Sequence, residues 1–236
     1  MTDTDSACIR SRDLSYSVRR HFVDDFHFHH VPGLPSGGLV LDLGGNRLGK
    51  RGMFNIESYG LQVVYTNLSA SKKPHAQADA EFLPFQDERF EAVVCSELLE
   101  HVSDPPCVLR EIFRVLRKSG TALICVPFMN RIHGDPHDYG RYTDYYWTEH
   151  LRKIGFDDIR IERQGGFWSV LVEMLRYVLY LKTSLWGLQR AWMLRIIAAV
   201  AYSSKLKAME WDQLNDSKAN PPTGFTTGFG ISARKP

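Results

Sequence analysis

The stretch Val40-Leu41-Asp42-Leu43-Gly44-Gly45-Asn46-Arg47-Leu48-Gly49 decides the fold class. A short aliphatic run feeds directly into a glycine pair, which is how a buried strand ending in a tight turn reads, with a helix expected next. Glycine at such a turn lets the backbone take positive φ and approach a ligand closely, and a following helix N-terminus would offer free N–H groups. The same pattern also makes a purely structural turn, so its flanks must decide between the two.

Working outward, Gln62-Val63-Val64-Tyr65-Thr66, Phe90-Glu91-Ala92-Val93-Val94-Cys95 and Thr121-Ala122-Leu123-Ile124-Cys125-Val126 are equally short and nearly all apolar. Strands buried on both faces have that composition. Helix-length segments separate them. Asp104 is placed to cap a helix whose first position is Pro105, and Val108, Leu109, Ile112, Phe113, Val115 and Leu116 follow at helical spacing. Gly120, after Arg117 and Lys118, is the expected stop. A second helix is expected from Thr143 or Asp144 to Gly155, then a strand over Phe156–Arg163, and a final strand over Gly228–Ala233. Strands alternating with helices give an α/β fold with a doubly wound, mostly parallel sheet and helices on both faces.

Between the last two strands the pattern changes. Leu171, Val172, Leu175, Val178 and Leu179, then Leu188, Trp192, Leu194, Ile197 and Val200, predict two amphipathic helices broken near Thr183 and Ser184. This insertion reads as core or as a homodimer interface; with its arginines and tryptophans, the stretch 168–210 also fits peripheral contact with a membrane surface. Pro221-Pro222 marks a linker over Asn215–Thr223. The expected organisation is a single domain: a cap segment over 1–37, a core over 38–166, the helical insertion over 167–212 and the final strand within 223–236.

Composition narrows the partners. With 236 residues, 44% hydrophobic and 24% charged, the chain can bury a full core. Basic residues exceed acidic ones by two, 29 against 27, so nothing demands a nucleic-acid partner. The N-terminus has no apolar signal core, and Arg176, Lys182, Arg190 and Arg195 interrupt the most hydrophobic region, which excludes a spanning helix. Cys8, Cys95, Cys107 and Cys125 lack metal-ligand spacing and fit a reducing cytoplasm.

Two more blocks complete the picture: Ala78-Asp79-Ala80-Glu81-Phe82-Leu83-Pro84-Phe85, and Glu88 through Ser96-Glu97-Leu98-Leu99-Glu100-His101-Val102. With LDLGG at 41–45 and EIFRVLRKSGTALICVP at 111–127, they resemble the class I S-adenosylmethionine-dependent methyltransferases, type 11, over Leu39–Pro127. The resemblance implies a Rossmann-like, seven-stranded sheet, S-adenosylmethionine as cofactor and S-adenosylhomocysteine as product. It implies cofactor contacts from Asp42, Gly44, Gly45, Asn46, Asn67, Leu68, Asp79, Ala80, Glu81, Ser96 and Glu97. Asp79 would accept from the exocyclic amine of adenine while the Ala80 N–H reaches a ring nitrogen. Two positions depart from the pattern: Asn46 stands where the family has its second glycine, and Asn67 replaces the acidic residue that holds the ribose hydroxyls.

Methyl transfer from a sulfonium is an in-line displacement, so a base is needed only when the acceptor must lose a proton. His101, following the fourth strand, is the candidate base. The loop His133-Gly134-Asp135-Pro136-His137-Asp138-Tyr139-Gly140-Arg141-Tyr142-Thr143 carries metal-competent side chains at His133, Asp135, His137 and Asp138, but its alternating spacing and Pro136 do not make them converge, and no metal is expected. It reads instead as an acceptor pocket built with His133, His137, Tyr139 and Arg141. His21, His27, His29 and His30, interleaved with Phe22, Phe26 and Phe28, predict a half-buried segment folding over the cofactor. Stretches similar to HGDPHDY and RYT accompany saccharide and cell-envelope pathways in the family, so the resemblance implies a small polar acceptor, a saccharide or glycolipid hydroxyl. Two alternatives stand beside it. A nicotinamide-dependent oxidoreductase calls for a clean G-x-G-x-x-G and an acidic residue closing the second strand, and neither is present. A non-catalytic binding or scaffold protein of the same fold would have Asn46 and Asn67 as its marks.

Overall fold

The computed structural model describes residues 16–49, 52–134, 137–180, 196, 200, 205–216 and 224–236. The chain divides into two compact units, residues 23–163 with 228–236, and residues 1–22 with 164–227.

The larger unit is built on a seven-stranded sheet in the order β3-β2-β1-β4-β5-β7-β6. Its strands are β1 (Leu39–Leu43), β2 (Gln62–Asn67), β3 (Ala76–Gln77), β4 (Phe90–Ser96), β5 (Leu116–Pro127), β6 (Asp157–Gln164) and β7 (Gly228–Arg234). β1 pairs in parallel with β2 and β4, β2 with β3, and β4 with β5, whereas β7 runs antiparallel to β5. The chain walks outward from β1 to β3 and then returns to the other side of β1 as β4. That reversal opens a crevice beyond the carboxyl ends of β1 and β4, where sheets of this kind bind ligands.

Period-two alternation assigns the two faces of the sheet. Leu41, Leu43, Val93, Cys95, Ala122 and Ile124 pack with α2 (Pro105–Val115) and α3 (Asp144–Ile154) through Val108, Leu109, Ile112, Trp147 and Leu151. On the opposite face Val40, Ala92, Val94, Leu123 and Cys125 meet Val23 and Phe26 of α1 (Val18–His30) and Ile56. The doubly wound sheet with helices on both faces is thus as the sequence predicts.

Two local expectations fail. No α-helix follows the glycine turn: within 44–61 the described residues form only a 3₁₀ turn, Ile56–Tyr59, capped by Asn55 through the Glu57 N–H. Gly44 and Gly49 both take positive φ, which breaks the run before a helical turn can close. The helix-N-terminus part of the reading therefore has no structural counterpart here. Nor is Gly120 a helix stop. α2 ends at Val115, Leu116 is already extended, and Ser119 rather than Gly120 takes positive φ. Gly120 is required for another reason, since a Cβ there would lie 2.8 Å from the Arg117 carbonyl and 3.1 Å from that of Glu91.

In the smaller unit, Val18 packs with Val172 of α4 (Phe167–Tyr180) and with Ala208 and Met209 of α5 (Lys205–Asp216). Asp212 of α5 accepts from the N–H groups of Gly166, Trp168 and Ser169, each at 2.9 Å, and so satisfies the open N-terminus of α4. The predicted break near Thr183 and Ser184, and Leu188, Trp192, Leu194 and Ile197, lie outside the described residues. Of the linker expected over Asn215–Thr223, Asn215 and Asp216 belong to α5, and 217–223 lie outside the described residues. Among the described residues no helix is long and apolar enough to cross a membrane.

Candidate functional site

The crevice is floored by two backbone features that only particular residues tolerate. Gly44 ends β1 at φ 80°, and a Cβ there would press on the Leu98 side chain. Gly45 follows with the Asp42 carboxyl group directly above it, 2.3 Å from where a Cβ would be, so Asp42 lies over the turn only because position 45 is glycine. At the end of β4, Ser96 is followed by Glu97 at φ 53°, an uncommon conformation for a residue with a side chain, held by its N–H donating to the Cys125 carbonyl at 2.9 Å.

Asn67, at the end of β2, does something the sequence does not announce. Its Nδ2 donates to the carbonyls of Gly44 and Gly45 at 2.9 and 3.3 Å, and its Oδ1 accepts from the Ser69 N–H at 2.9 Å. An acidic side chain has no hydrogens to give those carbonyls. The departure from the family pattern is therefore a brace: the amide ties β2 to the glycine turn. Leu68 beside it is exposed, and its carbonyl accepts from Gln77.

Asp79 and Glu81 lie on the loop after β3. One Asp79 oxygen accepts from the Glu81 N–H at 3.0 Å and its carbonyl from the Phe82 N–H at 3.1 Å, forming a tight turn with the carboxylate at the surface. Ala80 is buried in the core below. This turn is anchored from α2: Glu111 accepts from the Leu83 N–H at 2.7 Å, while Arg114 donates to the carbonyls of Leu83 and Phe85 at 3.0 and 2.7 Å. Arg114 also grips Glu111 through two bonds of 2.7 and 2.8 Å. That grip holds the Glu111 carboxyl below the usual carboxylate range, with the Leu83 N–H adding to it. Neither residue looks functional in the sequence; each reads as the polar face of a helix.

The opposite wall is the loop after β5, fastened by the Tyr139 N–H to the Glu100 carbonyl at 2.7 Å. His101 Nδ1 faces the His137 carbonyl at 2.6 Å, and the His101 and His133 rings meet edge to face with centroids 5.1 Å apart. His137 and Tyr139 are neighbours, with Tyr139 exposed. Arg141 is committed internally. Its Nη2 donates to Asp138 and to the Arg131 carbonyl at 2.7 and 3.0 Å, its Nη1 to Asp138 and the Gly140 carbonyl. The guanidinium holds the Asp138 carboxyl down at about 2, helped by the His133 N–H. Arg141 thus shapes the loop rather than reaching into the crevice.

From α1 comes a contact that sequence reading missed. His27, buried, places Nε2 at 3.0 Å from the Ser96 hydroxyl, linking the cap helix to the end of β4. His29 instead stays at the surface beside Asp25, and His30 beside Glu162. Only the aromatic spacing around His27 hinted at an inward face. Several large apolar side chains also stand exposed on the loops leaving the carboxyl edge: Leu48, Met53, Leu68, Phe82 and Ile132.

The methyltransferase domain model of type 11 matches residues 46–124. The chain is 34% identical over 106 residues to a ubiquinone/menaquinone biosynthesis C-methyltransferase of Xylella fastidiosa, covering 38% of this chain and 42% of that one. It is 30% identical over 120 residues to a 2-methyl-6-phytyl-1,4-hydroquinone methyltransferase of rice, covering 49% and 36%. The chain thus spans about two fifths of the length of these curated relatives. A crystal structure described as a SAM dependent methyltransferase from Archaeoglobus fulgidus shares the fold, with a TM-score of 0.55 at 17% identity, covering 92% of this chain and 94% of that one. The matched segment contains the braced turn's Asn46 and Asn67, the Asp79 turn and the end of β4; over those residues the chain is similar to the type 11 methyltransferase domain, and the strand order around it is that of the fold it shares with the Archaeoglobus structure.

Proposed function

We propose that the chain transfers the methyl group of S-adenosylmethionine to a small polar acceptor. The observation that supports this reading is the arrangement at the carboxyl edge: a glycine turn under Asp42, an anchored turn carrying Asp79, and the left-handed Glu97 follow the ends of β1, β3 and β4 around the strand-order reversal. In this reading Asp79 and Ala80 hold the adenine, and Gly44, Gly45 and Asn46 accommodate the methionine part. Because Asn67 gives both amide hydrogens to the turn, it supports the ribose only through the geometry it fixes. In this reading His101, beside Glu100, is the base for an acceptor that must lose a proton, a role open to it only while no metal holds its Nε2. One curated relative is named for a hydroquinone and the other for ubiquinone and menaquinone biosynthesis, so a hydroquinone ring joins the saccharide hydroxyl as an acceptor class to be tried. The single-domain organisation, with the 167–212 helices as an insertion that docks a partner copy or a membrane surface, belongs to the same proposal.

Calorimetric titration with S-adenosylhomocysteine and with NAD tests it. Binding of the first and not the second is expected, and Asp79→Ala should weaken it by about 1 to 3 kcal/mol, the cost of leaving a hydrogen-bond partner unmet. No binding of S-adenosylhomocysteine would end the proposal. Binding without transfer to quinol or saccharide acceptors would favour the second reading, a cofactor-binding protein without turnover, which the diverted Asn67 side chain keeps in play.

A further inference from the structure

Glu100, His101 and His133 bring one ligand atom each to within 4.8 Å of one another. We propose that they form a binding site for a divalent transition-metal ion, zinc or a first-row neighbour. Glu100 Oε1 lies 3.6 Å from His101 Nε2 and 3.9 Å from His133 Nε2. Metal bonds of roughly 2.0–2.1 Å in a tetrahedral site set ligand atoms about 3.4 Å apart; the carboxylate distances of 3.6 and 3.9 Å are close to that, and the imidazole pair, within 4.8 Å, closes by a side-chain rotation of up to about 1.4 Å.

The second-layer contacts fix the chemistry. His101 Nδ1 faces the His137 carbonyl at 2.6 Å, which makes it the protonated nitrogen and leaves the Nε2 lone pair on the Glu100 side. His133 Nδ1 has two oxygens beside it, the Arg131 carbonyl at 3.1 Å and Asp138 Oδ2 at 3.4 Å, and one donor, Arg141 Nη2 at 3.2 Å. The two hydrogens of that Nη2 already point to Asp138 and to the Arg131 carbonyl, so Nδ1 carries the hydrogen and Nε2 again keeps its lone pair. Two imidazole nitrogens and a carboxylate oxygen then lie within 4.8 Å of one another. Histidine ligands whose other nitrogen is held by a backbone carbonyl are the usual outer arrangement of a metal site. Glu100 contributes a carboxylate whose side chain is only 1% exposed. The half-exposed His133, at 30%, leaves the ion reachable on one side. Three protein ligands with an open position take an oxygen donor such as a hydroxyl, phenolate or carboxylate. That this oxygen belongs to a methyl acceptor rests on the proposed function; the metal site itself does not.

The sequence reading counted His133, Asp135, His137 and Asp138 as metal-competent but expected no metal from their spacing; the fold uses Asp138 to clamp Arg141 and turns the His137 carbonyl toward His101. The partners His133 acquires are more than thirty positions upstream.

The test is titration of the chelator-treated full chain with cobalt(II), followed by visible absorption, with zinc as competitor and no cofactor present. One equivalent of cobalt, displaced by zinc, is expected. His133→Ala and Glu100→Gln should each weaken it at least about tenfold, the scale on which even outer partners of a ligand matter, while His29→Ala leaves it unchanged. Circular dichroism checks that Glu100→Gln folds; His133, at the surface side of the loop, serves if it does not. Absence of stoichiometric cobalt binding, or binding that survives His133→Ala and is lost in His29→Ala, overturns the proposal. Neither outcome touches the S-adenosylhomocysteine titration, so the two readings fail separately.

Discussion

Arg114→Ala removes the side chain that anchors the Asp79 turn to α2, and its cost can be worked from the contacts. The guanidinium makes two short bonds to Glu111, and one each to the carbonyls of Leu83 and Phe85. Its bond to Asp87 counts for little, because that carboxylate is 72% exposed and screened by water. Arg114 and Glu111 are 31% and 17% exposed, so the Glu111 pair is discounted to about 1 kcal/mol and each carbonyl bond to about 1 kcal/mol, for a total loss of about 2 to 4 kcal/mol. Urea denaturation at neutral pH reads that number. The pH dependence follows from the same contact. Glu111 ionises more readily when folded than when unfolded, so its contribution is present above the ordinary glutamate range, about 4.3, and is lost as pH falls below it toward the folded value. In Arg114→Ala that acid-side loss should shrink. If loosening the turn adds about 1.4 kcal/mol of ordering on binding, S-adenosylhomocysteine affinity falls about tenfold. A variant within about 0.5 kcal/mol of the parent, the range of ordinary surface changes, with unchanged acid sensitivity, would refute the anchoring role.

Three further substitutions probe other supports. Asn67→Asp, which restores the family's acidic residue, should destabilise by about 1 to 3 kcal/mol and weaken cofactor binding, because it takes two donors from the Gly44 and Gly45 carbonyls; a tighter binder in calorimetry would contradict the brace. Gly45→Ala should cost about 1 to 3 kcal/mol through collision with Asp42, and Asp42→Ala in the same chain should restore part of the melting temperature. Asp212→Ala should cost about 2 kcal/mol in thermal unfolding by leaving three N–H groups at the start of α4 unmet, whereas a value near zero would mean water replaces the carboxylate.

The sheet was legible because buried parallel strands cannot hide: β1, β2, β4 and the later half of β5 are the apolar runs seen in the sequence, and α2 and α3 carry helical spacing and a cap. Asp104 caps α2 as its position suggests, accepting from the Cys107 N–H at 3.2 Å. The region after Gly45 was misread because a glycine turn resembles the start of a helix in composition, while the conformations of Gly44 and Gly49 forbid one. Gly120 was misread for the converse reason, since a glycine needed for close backbone approach looks like a glycine needed for a left-handed cap.

Sequence alone determined the apolar strands, the helices over 105–115 and 144–154, the order in which they alternate and the block from Asp79 to His101 that carries the family resemblance, because local propensity and hydrophobic period are written residue by residue. Only the tertiary structure decided what the polar side chains do. Asn67 braces a turn 22 and 23 residues back, Glu111 and Arg114 hold a loop 28 to 31 residues away, and His133 meets Glu100 and His101 across the sheet edge. Hydrogen bonds and metal-ligand sets depend on distance in space, which the pairing of β1 with β4 and of β4 with β5 sets and linear spacing does not encode.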